Sequence, residues 1–304
     1  MSKAGRIREQ NVRERVAAQQ AAAASRERRR RVIIAGSSVL TVVAVVAGFL
    51  VARSLTASPS AQAVPGGVHG TVLPASVASD IATVPAATLA RIGAGSVPGY
   101  QNQTYAGPPL TKVDDTPLTS GGKPEMLYIG AEYCPFCAAM RWSMAVALSR
   151  FGTFTTPLRG IHSTPDDVDP DTPTVTFYGA HYSSPYLTFV PVENDNLNKQ
   201  PLQNTTASEQ ALWQKFDSSG GELTFPFVDF GNQFVLTAPL YNPAILKGMT
   251  WAQVAAALHD PFSPVALAID GTANYMTAAI CHMTGNRPAS VCNVPSVRAL
   301  DSGL

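Results

Sequence analysis

The sequence predicts an α/β layer fold of roughly 180 residues held behind a single transmembrane helix. Three observations predict it. Segments of strand length alternate with helical ones from residue 125 onward. A 21-residue stretch without a charge, "VIIAGSSVLTVVAVVAGFLVA" at 32–52, is long enough as a helix to cross the hydrocarbon core of a bilayer. Charge is divided around that stretch. Residues 1–31 carry ten Lys/Arg against three Glu, a net of +7, and the remainder carries twelve basic and eighteen acidic side chains, a net of −6.

The basic tail, ending in "RERRRR", is expected to stay cytoplasmic, so that everything beyond residue 53 faces outward. A cleaved signal peptide is the rival reading, since "VARSLTASPSAQA" offers small residues, but its apolar region would be shorter. Placement against the span accounts for the arginines, and no nucleic-acid partner is expected. Residues 53–120 are rich in Pro, Ala and Ser and read as a tether and lead-in. Within them "ASDIATVPAATLARIG" is expected to fold onto the domain as a short helix with Val84, Leu89 and Ile92 on one face. "GGKP" at 121–124 then opens the outer domain, residues 121–304.

The elements of that domain follow in order. "EMLYIGAEY" (125–133) is an apolar run of strand length. Residues 136–151 contain neither Gly nor Pro and form a helix that Gly152 ends. "PLRGIHST" (157–164) reads as a second strand, and "PDDVDPDTPT" as a proline-cut acidic loop. The Val, Phe, Tyr and Thr of "VTFYGAHYSSPYLTFVPVE" suggest a strand pair. "TASEQALWQKFD" is a helix capped by Thr206 or Ser208, and "LTFPFVDFGNQFVLTAP" a hairpin around Gly231-Asn232. "TWAQVAAALHD" and "GTANYMTAAICHMTG" supply the last helices.

The chemistry-bearing stretch is "GAEYCPFCAAMRW" (130–142). Cys134 falls at the junction of strand and helix, with Cys137 one turn in. There the first thiol meets unpaired backbone N–H groups and the positive end of the helix dipole, which favour a thiolate, the species that attacks disulfides. Pro135 suits the first helical turn. The spacing fits an attack by Cys134 and a resolution by Cys137.

"YIGAEYCPFC" resembles the start of the active site in the thioredoxin superfamily, and "LTFPFVDFGN", 92 positions on, resembles its second motif. That resemblance implies a thioredoxin-like fold with an insertion between the two motifs, and a cis-proline at Pro226 that packs against the dithiol and shapes a substrate groove. The whole layout, with its anchor, its tether, "GAEYCPFCAAMRW" and a terminal "ICHMTGNRPASVC", is similar to a membrane-anchored thioredoxin-like family known as domain of unknown function 929. The dithiol and the outward-facing placement lead to the expectation of thiol–disulfide exchange on protein thiols and disulfides outside the cytoplasm, without a cofactor. The sequence departs from the superfamily at Tyr128, which stands where many thioredoxins bury a proton-relaying acid. Glu132, the nearest carboxylate, is expected to be exposed.

Two other readings stay open. The domain could be a non-catalytic binding module with static disulfides, since fold does not dictate activity. It could also hold zinc or copper through Cys134, Cys137, Cys281 and His282. Cys281 and Cys292 enclose "HMTGNRPASV", where Gly285, Asn286 and Pro288 turn the chain back. A structural disulfide is the plainer reading of that pair and a second redox pair the sharper one. The expected connectivity is 134–137 and 281–292.

His162, His181 and His259 belong to no motif. Asp166, Asp167, Asp169 and Asp171 lack the glycine turn and distal Glu of a calcium loop. The sequence contains no nucleophile elbow, phosphate loop or dinucleotide fingerprint. Asn102 and Asn204 head N-X-Thr sequons, relevant only in a glycosylating pathway.

Overall fold

A computed structural model describes residues 69–95, 110–217 and 223–304. The basic tail, the expected span at 32–52 and the Asn102 sequon lie outside the described residues. Among the described residues no helix is long and apolar enough to cross a membrane.

The fold is mixed α/β. Strands β1 (Thr71–Val72), β2 (Thr111–Lys112) and β3 (Thr119–Ser120) precede the central β4 (Lys123–Ala131). Strands β5 (Thr153–Phe154), β6 (Arg159–His162), β7 (Pro173–Thr176), β8 (Tyr182–Ser183), β9 (Thr188–Asp195), β10 (Phe227–Phe230) and β11 (Phe234–Leu236) follow. The helices are α1 (Ala75–Ala82), α2 (Ala86–Ile92), α3 (Pro135–Ser149), α4 (Ala207–Phe216), α5 (Trp251–Ala257), α6 (Pro264–Met283), α7 (Ala289–Cys292) and α8 (Pro295–Asp301).

Strand β4 organises the molecule because it is apolar on both faces. From Met126 to Ala131 every residue is buried, as a strand covered on both sides requires. Alternation sends Met126 and Tyr128 into the larger core and Leu127 and Ile129 into a second core beneath Trp213 of α4. On one edge β4 pairs in parallel with β9 (Leu127↔Val190); on the other it pairs antiparallel with β10 (Ile129↔Phe227). Strand β11 lies antiparallel to β10, with Gly231 and Asn232 at φ of +69° and +58° in the turn, as the Gly-Asn signal requires. Strand β2 closes the far edge beside β11, and β3 forms a short antiparallel pair with the start of β4.

Helix α3 is buried from Pro135 through Leu148, apart from Phe136, the mark of a helix enclosed by protein rather than lying on a surface. It packs on α6, and the Ser143 hydroxyl donates to the Ile269 carbonyl at 2.8 Å. Trp142 donates its indole N–H to Pro173 O at 2.8 Å, and Thr174 donates to Ala138 O at 2.7 Å, which ties β7 to the same helix.

Several expectations need correction. The segment 175–193 is not one strand pair: β7 joins β6, β8 joins β5, and β9 enters the main sheet beside β4. All three are rich in β-forming residues, and the choice of partner is made by distant chain. The helix expected within 78–93 is two helices broken by Val84-Pro85, with Leu89 and Ile92 buried on the second. Pro85, the N-cap of the second helix, has no N–H with which to continue the first. The lead-in does pack on the domain, as expected of its helical stretch: α1 packs on α3 and α5, and before it β1 pairs with β6. The last long helix begins at Pro264 rather than near Gly271, with Ser263 as its cap. Gly271 lies inside it because the chain at Gly95 passes so close that a Cβ there would fall 2.8 Å from the Gly95 Cα.

Candidate functional site

Strand β4 delivers Ala131 to the end of the sheet, and three residues later Cys134 caps α3. Its backbone is extended (φ −76°, ψ 121°), and its Sγ accepts the Cys137 N–H at 3.3 Å while its own N–H donates to Ala131 O at 3.2 Å. The sulfur therefore takes the place that a Ser or Asp oxygen takes in an ordinary helix cap, with Pro135 in the first turn. Cys137 is wholly buried and Cys134 is 6 % exposed. Both are free thiols.

Their environments push the two thiols apart. Burial works to raise the Cys134 thiol, but hydrogen bonds from the Cys137 side chain and backbone, the Arg141 charge and the Phe136 N–H outweigh it, so it lies below the usual cysteine value. Burial, followed by the hydrogen bond and charge of Cys134, holds Cys137 well above it. One sulfur is set to be an anion and its neighbour to keep its proton.

Ala131, Cys134 and Cys137 form a small cluster that Tyr133, Phe136 and Phe225 partly cover. Tyr133 and Phe225 meet edge to face at 6.5 Å, Trp213 lies 5.1 Å from Phe225, and Lys199 sits 5.2 Å above the Tyr133 ring. The pairing of Phe227 with Ile129 brings Phe225 and Pro226 to the end of the sheet where β4 runs into Cys134. Pro226 is buried and the Phe225–Pro226 bond is cis.

Behind the thiols lies a charged group that sequence reasoning missed. Arg141, fully buried, donates Nε to Glu193 Oε1 at 2.8 Å and Nη2 to Glu193 Oε2 at 2.6 Å and to Ala131 O at 2.6 Å. Glu193 is equally buried and also receives the Phe177 N–H at 3.1 Å. Glu132, expected to be exposed, is fully buried: the Thr176 hydroxyl donates to it at 2.7 Å, and its N–H donates to Asp195 O at 2.8 Å. Burial, and then the charge of Glu193, raises its carboxyl. The signal for Arg141 was present in the sequence. It is one of two charges in the helical run 136–151, the other being Arg150 at its end, and it follows Cys137 by four residues.

The other candidates lie apart. Cys281 is joined to Cys292 with a Cα–Cα distance of 5.5 Å, so its sulfur is not open to a metal. His282 faces Asp301 at 3.0 Å. Among the described residues no group of three His, Cys, Asp or Glu is placed to hold a metal ion. His162 lies against Trp251, His181 is exposed, and His259 reaches Asp80 O at 3.0 Å.

Residues 109–282, more than half of the chain, match the family described as a domain of unknown function (DUF929). The chain belongs to that family. No curated protein and no solved structure matches it. The DUF929 match takes in Cys134, Cys137, Arg141, Glu193 and Pro226, and ends between the two cysteines of the disulfide, after Cys281.

Proposed function

We propose that this protein is a membrane-anchored, extracytoplasmic thiol–disulfide oxidoreductase with a thioredoxin-like domain, acting on secreted or envelope proteins. The observation that carries the reading is the position of Cys134: its sulfur caps α3, lies below the usual cysteine value, and has the protonated Cys137 one turn away. A thioredoxin-like domain is supported by the strand path β9–β4–β10–β11. In it a parallel pair joined through α3 precedes an antiparallel hairpin, and helices cover both faces. Anchoring through residues 32–52 is supported by the uncharged run and the arginines before it.

The exchange balances without a cofactor. The Cys134 thiolate attacks one sulfur of a partner disulfide, the partner's S–S bond breaks, and its second sulfur leaves as a thiolate that takes a proton. Cys137 then loses its proton and attacks Cys134 Sγ, and the partner's first sulfur departs as a thiol. Two electrons have passed to the partner, and Cys134–Cys137 is left as a disulfide. The same steps in reverse oxidise a dithiol.

The low exposure of Cys134 favours a second reading, a binding module in which the dithiol does no exchange. Cys137→Ser in membranes separates the two. Without the resolving thiol, adducts between Cys134 and partner proteins should accumulate and vanish on reduction. Absence of adducts, together with a Cys134 that resists alkylation after reduction, would sink the exchange reading.

A further inference from the structure

We propose that Arg141 is a positioning residue for thiol–disulfide exchange. Its buried positive charge, fixed behind the dithiol by Glu193 and the Ala131 carbonyl, stabilises the Cys134 thiolate and, once Cys134 is capped by a partner, that of Cys137. The proposal rests on the exchange reading above and assigns the charge that drives its second step.

Three observations place the guanidinium. Arg141 follows Cys137 by four residues on α3, so both side chains project from one face of the helix. Its Nη2 shares the Ala131 carbonyl with the Cys134 N–H, and Ala131 packs directly against both cysteines. Its Nη1 is buried without a hydrogen-bond partner among the described residues, whereas Nε and Nη2 are fully used. An ion pair kept only for stability gains nothing from an unpaired donor, because a buried polar atom without a partner costs free energy. A buried pair of this kind is in any case a weak source of stability compared with apolar packing.

The titratable and charged groups around the thiols come from several elements, with Tyr133 covering the cysteines, Asp195 at the end of β9, and Asp167, Lys199 and His69 on the loops around them. Tyr128 and Glu132 belong to β4 and the turn after it, Arg141 to α3, and Glu193 to β9. The side chains that β7 brings to this region, Thr174 and Thr176, carry no charge. Arg141 is the fully buried cation of the set, whereas Lys199 lies over the ring of Tyr133, and a guanidinium does not lose its proton in a protein. The anions compete for it. When Cys134 becomes part of a mixed disulfide its negative charge disappears, and with it the hydrogen bond and charge that add to burial in holding the proton on Cys137. Arg141 remains beside Cys137, and the attraction in this buried setting is far stronger than in water. The resolving sulfur is thereby set to ionise only after a partner has been captured.

The full-length protein in detergent tests this through the pH dependence of Cys134 alkylation by iodoacetamide, read on a Cys137→Ser background. That readout needs no partner, so it stands even if trapping of partners fails. Arg141→Met should move the alkylation midpoint upward by about one unit, an approximately tenfold slower reaction below the midpoint, and Arg141→Lys should restore most of it. Glu193→Gln should move the midpoint the opposite way, because it leaves the guanidinium uncompensated. With Cys137 present and Cys134 capped as a mixed disulfide with thionitrobenzoate, release of that thiolate by Cys137 should slow about tenfold in Arg141→Met. If Arg141→Met does not fold, Arg141→Lys and Glu193→Gln decide the matter. A midpoint that stays in place, or moves the same way for Glu193→Gln as for Arg141→Met, would overturn the proposal.

Discussion

Asp270 sits in the middle of α6, facing α3, with both carboxylate oxygens buried and unpartnered among the described residues. Burial pushes its carboxyl up to about 8, against the opposing pull of Arg150, and burial likewise lifts Asp229 to about 7 against the Asn232 N–H it accepts at 2.6 Å. An unfolded Asp ionises near 3.9, so between that value and about 8 the unfolded chain binds fewer protons than the folded one. The contribution of such a group is complete below the unfolded value and is lost as pH rises through the folded one. Asp270→Asn keeps the neutral shape and should flatten the decline, raising Tm near pH 8 by about 2–4 °C for each kcal/mol recovered. Melts across the range check it, and an unchanged slope would count against it. Cys134 and Cys137 were legible because their chemistry depends on spacing along one helix. Glu132 was not, since the Thr176 hydroxyl that donates to it belongs to β7, 44 residues away.

At the scale of elements, local chemistry was legible and partner choice was not. Helix α4 begins at Thr206 in a capping box with Glu209, and the β10–β11 turn forms at Gly231-Asn232, as the residues themselves indicate. The assignment of β7 and β9 to different sheets is set by α3 and β4, whose contacts no local pattern displays. The end of α6 poses a similar question, which experiment can answer. The Cys281–Cys292 bond joins α6 to α7 across 11 residues, and both cysteines are buried in the main core. Burial there fits a structural clip rather than a second exchange pair. Replacing both cysteines with serine should cost about 3 kcal/mol by chain entropy, seen as a lower urea midpoint, while alkylation of Cys134 keeps its rate. A changed Cys134 rate with unchanged stability would instead favour a redox link between the pairs.

Over the described residues, β4 separates two cores of unequal size, and the site stands where that strand runs into α3, whose later turns fill the larger one. The alternating pattern made the α/β class legible, but the extent of the folded body was not. Composition marks 53–120 as a lead-in because Ala, Ser and Pro dominate it, yet the few large residues it contains fall at helical spacing. Leu73, Val77, Ile81 and Leu89 join the main core, and α1 packs on α3. The helix that carries the dithiol is therefore held in part by the helical stretch of the lead-in. Ile81 is 2 % exposed, so Ile81→Ala should behave as a core truncation and cost about 2–5 kcal/mol, whereas a residue of a solvated linker would cost almost nothing. Urea unfolding measures the difference. A secondary effect on the site should accompany it: loosening α1 lets α3 shift against β4, and the alkylation rate of Cys134 should change with it. If Ile81→Ala leaves the unfolding midpoint where it was, residues 71–92 do not stabilise the domain, and the helix that bears Cys134 is supported by the sheet and α6 alone.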